Sequence, residues 1–344
     1  ETALGPLAAL PKLQSLNIAR NHIRDLGPVF LAPPAVSQDG RAFPKLEVLD
    51  VSANAALDDI TATMSVEGLR SLSATALAVT SFQCFPCNLE VIDLRGCCLH
   101  AISNLQALSR LAELMLDGNA LLSCQDVNVH PKLQALRIPH NAVESLSGVN
   151  LPSLKELDIA SNHLAQAPQL SGAPAIMSLV LRGNQLGSLG PLSVLHHLTF
   201  LDASQNKLHE LELSLTTALR PLRVLLLNGN EIDNVEAVAD ALEQAGEISL
   251  EHMDLRDNPL SIAFYLNAQL PAWTWEAVVT PTELEQQVPD AALDKATRKI
   301  RDRYRNRLAS ICPSLRSLDG MLVEVPYQQQ SLLLVQQSGI LQPG

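Results

Sequence analysis

One eleven-residue pattern, L-x-x-L-x-L-x-x-N-x-L, recurs along this chain and limits what it can fold into. Copies start at Leu13 (LQSLNIARNHI), Leu46, Leu89, Leu111, Leu133, Leu154 (LKELDIASNHL), Ile176, Leu198, Leu222 and Leu250. A degenerate copy at Leu69 (LRSLSATALAV) fills the 43-residue interval between Leu46 and Leu89, which makes eleven units. From 89 to 198 the spacing is 21 or 22 residues. A unit this short cannot bury its apolar face alone, so neighbouring units must stack around a shared core. Each unit holds a short strand with two inward apolar residues, such as Leu157 and Ile159. The asparagine that follows (Asn21, Asn54, Asn119, Asn141, Asn162, Asn184, Asn206, Asn230, Asn258) is expected to bond backbone groups of adjacent turns in a buried ladder. Cys97 takes that place once and Leu77 once, where the ladder is expected to be weakest.

This pattern is that of the leucine-rich repeat, and the chain resembles the cytosolic subclass with short repeats, typified by a phosphatase-regulatory protein. The resemblance covers about 250 residues and implies an α/β solenoid: a curved parallel sheet on a concave face, 3₁₀ or short helical turns on the convex face, and a C-terminal cap. The expected organisation is repeats over 1–260, an insertion, basic helix and cap over 261–325, and a tail over 326–344. Leucines continue every three residues upstream of the first unit (Leu4, Leu7, Leu10, Leu13), which fits 3₁₀ turns. The longer interval from 222 to 250 contains NVEAVADALEQA, whose Val235, Val238, Ala239 and Leu242 fall at helical spacing. The stretch LAPPAVSQDGRA between the first two units reads as a surface loop.

In each unit the third, fifth and seventh residues are expected to point to solvent. The fifth-position column contains Asp50, Asp93, Asp158, Asp202 and Asp254, no two on adjacent strands, so an acidic stripe avoids side-by-side repulsion. Val180, Phe200, Val224 and Leu226 read as an exposed apolar patch rimmed by Arg182, Asp202 and Asp254, and His252 and Arg256 complete the candidate partner-binding set. An aromatic anchor within a polar rim is the usual form of a protein-binding hot spot. The alternative is that Phe200 and its neighbours only shield strand backbone. Arg95, Arg137, Arg182 and Arg256 on the same face could read phosphate; the favoured reading is lateral pairing, Arg95 with Asp117 and Arg137 with Asp158.

Past Leu260 the texture changes. Residues 266–292, with Pro271, Pro281, Pro289, Trp273 and Trp275, read as an irregular insertion. Residues 291–311 read as a helix burying Leu293, Ile300, Tyr304, Leu308 and Ile311. Its other face carries seven basic residues, among them Lys295, Arg298, Lys299 and Arg303, a second candidate surface. Phe264 and Tyr265 are expected to pack under this helix and the segment SLRSLDG, closing the stack. Asp254, Leu255, Arg256, Asn258, Pro259, Leu260, Tyr265, Tyr304, Arg305, Pro313, Leu315, Leu318, Asp319 and Gly320 together resemble the C-terminal domain of the fungal spindle-pole-body scaffold of the septation-initiation and mitotic-exit networks, a relative of centriolin. That resemblance implies a cytoplasmic scaffold at the spindle pole, with spindle-pole anchors or kinase-cascade components as partners.

Net charge is −12 and no apolar run reaches the ~18–20 residues of a membrane span, so a nucleic-acid or membrane binder is not expected. The chain opens at Glu1 inside a leucine-spaced pattern, which reads as a piece of a longer protein. Six cysteines lack a zinc-ligand spacing and read as reduced thiols. No phosphate loop or nucleophile–base constellation appears, so the expectation is no enzyme, no cofactor and no metal, but a scaffold; the alternative is a regulatory subunit of a phosphatase.

Overall fold

The computed structural model describes residues 10, 12–30, 43–84, 87–124, 127, 129–264 and 293–323. The chain divides into two compact units, 1–187 and 188–344.

In the first unit, strands of three residues occupy the third to fifth positions of each repeat: β1 (Ser15–Asn17), β2 (Val48–Asp50), β3 (Ser71–Ser73), β5 (Val91–Asp93), β7 (Glu113–Met115), β8 (Ala135–Arg137), β9 (Glu156–Asp158) and β10 (Ser178–Val180). They pair in parallel in that order, and equal repeat positions always face one another, as in Glu113↔Ala135↔Glu156. The degenerate copy at Leu69 therefore contributes a full strand, Ser71–Ser73, despite lacking the asparagine. The register follows from burial. Positions four and six, such as Leu157 and Ile159, are buried, and a slip of one residue would turn them to solvent. On the return side, β4 (Ser81–Gln83) and β6 (Ala101–Ser103) form a two-stranded parallel sheet. Short 3₁₀ turns at Thr61–Ser65 and Leu105–Ala107 and a four-residue helix, α1 (Gly27–Phe30), complete that side.

The asparagine ladder is present. Asn162 donates from Nδ2 to the carbonyls of Ile138, Ile159 and Ala160 at 3.0–3.2 Å, and its Oδ1 accepts the amide of Val143 at 3.0 Å. Asn54, Asn119, Asn141 and Asn184 likewise bond a carbonyl of the preceding repeat. Cys97 makes that link through its thiol, to the Ala74 carbonyl at 3.0 Å. The residue just before the asparagine position has positive φ throughout the repeats, whether glycine (Gly96, Gly118, Gly183) or not (Arg20, Ala53, Ala76, His140, Ser161). The backbone must reverse there to leave the strand, so most units accept a left-handed residue that carries a Cβ.

The second unit continues the same grammar with β11 (Phe200–Asp202), β12 (Val224–Leu226) and β13 (His252–Asp254) in parallel. Asn230 and Asn258 bond back to the carbonyls of Ala203 and Leu227. A four-residue helix, α2 (Thr216–Leu219), precedes β12. The predicted helix is α3 (Val235–Ala245); the Asn234 side chain accepts the Glu236 amide at its start, and Gly246 at φ 78° ends it. It buries Val238, Ala239, Ala241, Leu242 and Ala245.

The cap adds a shortened twelfth rung. Ser317–Leu318 (β14) pairs in parallel with β13, then turns at Asp319–Gly320 into Met321–Leu322 (β15), which runs antiparallel. Helix α4 (Lys295–Ile311) starts at Asp294, whose side chain accepts the amides of Ala296 and Thr297. Phe264 meets Tyr304 with ring centroids 5.3 Å apart, as expected; Tyr265, the 266–292 insertion and the 326–344 tail lie outside the described residues. The helix face differs from the expectation. Arg301, Tyr304 and Leu308 are its buried residues, whereas Ile300 is 57% exposed. At about 100° per residue the 301/304/308 stripe is one continuous face, and Ile300 and Ile311 fall at its edge.

Candidate protein-interaction surface

The outward face differs between the two units. In the second, the expected open patch is closed: Phe200 is 8% exposed, Val224 1% and Leu226 4%, and Asp202, Asp254 and Arg256 are buried too. Register contributes to this, because Phe200, Val224 and His252 stand side by side, as do Asp202, Leu226 and Asp254, so each shields the next. Arg256 folds onto Asp254 with Nε 2.9 and 3.0 Å from the two carboxylate oxygens. His252 is half-buried, its Nδ1 2.8 Å from Ser317 Oγ of the cap strand, and burial lowers its pKa below the usual value. Val180 and Arg182, in the first unit, are both half-exposed.

In the first unit the corresponding side chains stay open. Glu113, Arg137 and Glu156 are exposed, and Met115, Ala135 and Asp158 half-exposed. The arginine pairings are not those expected. Arg95 reaches back along its own strand to Asp93, with Nε–Oδ1 2.9 Å and Nη2–Oδ2 2.8 Å, and not across to Asp117. Arg137 does pair laterally, but with Glu156 at 3.3 Å instead of Asp158. An aspartate two residues before an arginine on one strand lies on the same face and offers both oxygens to the guanidinium fork; Asp254–Arg256 repeats the device.

The aspartate column also has a structural task that periodicity alone did not reveal. Asp50, Asp93, Asp158, Asp202 and Asp254 each accept the backbone amide two residues ahead, at 3.0–3.2 Å. They close an Asx-type turn as the strand ends. Much of the acidic stripe is thus fold chemistry.

Between β7 and β9 lies a hollow of about 350 Å³, lined by Ala112, Glu113, Met115, Ala135, Arg137 and Glu156 among others. Its origin is legible afterwards: alanines at 112 and 135 sit between larger neighbours. Asp117, at the seventh position of the same repeat, is half-buried; its Oδ1 is buried and receives no hydrogen bond. Burial raises its pKa, against the lowering pull of Arg95 and Arg137.

On α4, Lys295, Lys299 and Arg303 are exposed and Arg298 half-buried. Arg307 docks on α3 instead, with Nε 3.0 Å from Glu236 and Nη1 2.6 Å from Glu243. No group of three or more potential metal ligands occurs among the described residues, nor a helix long and apolar enough to cross a membrane.

The repeats, their unslipped register and the asparagine ladder define a leucine-rich-repeat solenoid fold. A family profile described as "Leucine Rich repeat" matches residues 9–32. Among curated relatives, the chain is 30% identical to mouse Toll-like receptor 2 over 170 residues, 47% of this chain and 20% of the receptor. It is 38% identical to human serine/threonine-protein kinase 11-interacting protein over 104 residues, 29% of this chain and 10% of that protein. The chain thus spans a fifth or less of these relatives' length. Among solved structures, the APL1 leucine-rich repeat domain superposes with a TM-score of 0.56 at 22% identity, covering 72% of this chain and 63% of that one. The functional domain of InlJ from Listeria monocytogenes gives 0.51 at 19%, covering 72% and 54%. At these identities the structural likeness is one of fold.

Proposed function

We propose that this chain is a non-enzymatic protein-interaction scaffold that receives its partner on the outward sheet face of the first compact unit. The observation that carries this reading is the contrast in exposure: Glu113, Arg137 and Glu156 stand open, whereas Phe200, Val224 and Leu226 do not. Open, mixed-charge side chains on a rigid sheet can dock a partner without reorganising the core. The test is affinity capture with this chain as bait. Binding is expected to fall on the triple charge reversal Glu113→Lys, Arg137→Glu, Glu156→Lys. Persistence after that reversal, with loss on Lys295→Glu, Lys299→Glu and Arg303→Glu, moves the site to α4. Loss only on substitution at Val180, Arg182, Phe200, Asp202, Val224, Leu226, His252, Asp254 or Arg256 restores the patch that the sequence first pointed to.

For the partner, two finer readings stand beside each other. The likeness to a protein named for interacting with serine/threonine-protein kinase 11 favours a protein kinase. The cap resemblance favours a spindle-pole scaffold of the septation-initiation and mitotic-exit networks, although Tyr304, Asp319 and Arg256, which carry part of it, have structural work in any such cap. Recovery of a kinase, of spindle-pole proteins or of a phosphatase catalytic subunit in the capture decides among these and the regulatory-subunit alternative.

A further inference from the structure

The geometry points to an extended peptide of the pattern basic–x–apolar–x–basic as the occupant of the first unit's sheet face, laid along β7 over Glu113, Met115 and Asp117. This rests on the reading that this face receives the partner, and names the partner's chemistry.

Three observations converge. Glu113 is exposed, and no hydrogen bond or ion pair holds its carboxylate. Asp117 has a buried Oδ1 that receives no hydrogen bond, while the two nearby arginines bond other acids, Arg95 with Asp93 and Arg137 with Glu156. Half-buried Met115 lies between them in sequence, beside the hollow of about 350 Å³ that Ala112 and Ala135 leave open. Outward positions on extended backbone recur every two residues, about 6.7 Å, so positions 113 and 117, the second just past the end of β7, lie about 13 Å apart along the chain. Alternate side chains of an extended peptide have the same spacing. Cationic residues at i and i+4 then meet the two acids, while an apolar residue at i+2 covers Met115. The hollow takes the long aliphatic stem of the residue facing Glu113, burying its methylenes while the charged head stays at the carboxylate. On the opposite rim Arg137 pairs with Glu156 at 3.3 Å, and Lys155 is drawn aside to the Gln134 side-chain oxygen at 3.3 Å.

The probe is a fluorescein-labelled heptapeptide, Ala-Arg-Ala-Leu-Ala-Arg-Ala, titrated with the whole chain at near-physiological salt and followed by anisotropy. An isomer with the arginines adjacent carries the same charge with the wrong spacing. Expected are binding of the first peptide and about tenfold weaker binding of the isomer, the order of one well-placed charge-assisted hydrogen bond. The pair Glu113→Gln and Asp117→Asn lowers affinity about tenfold or more, and Ala135→Leu, which fills the hollow, does so without a charge change. Glu144→Gln, an exposed acid elsewhere in the first unit, leaves it unchanged. Equal affinity for the two peptides, or equal loss from Glu144→Gln, shows only the field of a −12 chain and overturns the inference. The charge variants keep the test decisive should Ala135→Leu misfold. A native partner that needs this face but carries no such stretch overturns the inference and leaves the proposed function standing; capture that persists after the triple charge reversal sinks that reading itself.

Discussion

Tyr304 donates its hydroxyl to Asp319 Oδ2 at 2.8 Å, while Asp319 Oδ1 accepts the amide of Leu255 at 2.7 Å. One buried carboxylate thus joins helix α4, the turn of the cap hairpin and the end of strand β13. Asp319 has φ 57°, and the hairpin β14–β15 that it opens gives β13 a partner on its outer side. A parallel sheet must end somewhere, and an unpaired last strand is a template for association. Tyr304→Phe removes one hydrogen bond to a buried anion and is expected to cost about 2 kcal/mol. Urea unfolding of the two proteins measures it. An unchanged midpoint would show that the hydroxyl bond to Asp319 adds nothing to the hold of the cap.

The ladder positions differ in how much they hold. Asn162→Ala strips partners from three carbonyls and one amide, and the expected loss is about 3 kcal/mol or more. Cys97→Ala gives up mainly one thiol–carbonyl link to Ala74 and is expected to cost about 1 kcal/mol. Equal losses in denaturant titrations would contradict the view that the ladder is weaker at this rung.

The left-handed position admits changes of opposite sign. Gly118 has φ 65° and room for a Cβ, so Gly118→Ala pays only the conformational penalty, about 1 kcal/mol. Ala53, at φ 55° and exposed, is strained in the same way, and Ala53→Gly is expected to stabilise by up to about 1 kcal/mol. Thermal unfolding distinguishes the two signs.

His130 is fully buried, with Nε2 3.0 Å from the Leu108 carbonyl and no partner at Nδ1. Desolvation by burial, aided by Lys132, lowers its pKa below 6.5. The fold therefore prefers neutral imidazole. Its contribution to stability is fully present above the unfolded pKa of about 6.5 and is lost as pH falls through the lower folded value. His130→Gln is expected to lose less stability than wild type between roughly pH 7.5 and pH 5.5, a comparison that cancels the parallel effect of His252. Identical slopes would rule this out.

Thiol reactivity separates the cysteines. Burial pushes Cys124 and Cys312 up to about 12, so neither forms thiolate in the native state near neutral pH. Cys98 is exposed. A thiol reagent is expected to label Cys98 first and Cys124 and Cys312 only on unfolding; Cys98→Ser should remove the fast phase.

The repeat spacing by itself determined where the outward-sheet strand of each of the eleven units lies, because an L-x-x-L-x-L core leaves one register that buries both inward residues; it did not place the return-side strands β4 and β6. It also placed the asparagine ladder, α3 and the contact of Phe264 with Tyr304. Tertiary structure alone decided which outward residues see solvent. Phe200, third residue of its repeat, and Met115, fifth residue of its own, both take outward positions, yet one is buried and the other half-exposed beside a hollow. Likewise Arg95 chose Asp93 over Asp117, and α4 buried Arg301 and left Ile300 exposed. Periodicity states which side of a strand a residue takes. Exposure and pairing depend on the size and charge of neighbours from distant repeats and on what else packs there, and those are set only when the units stack.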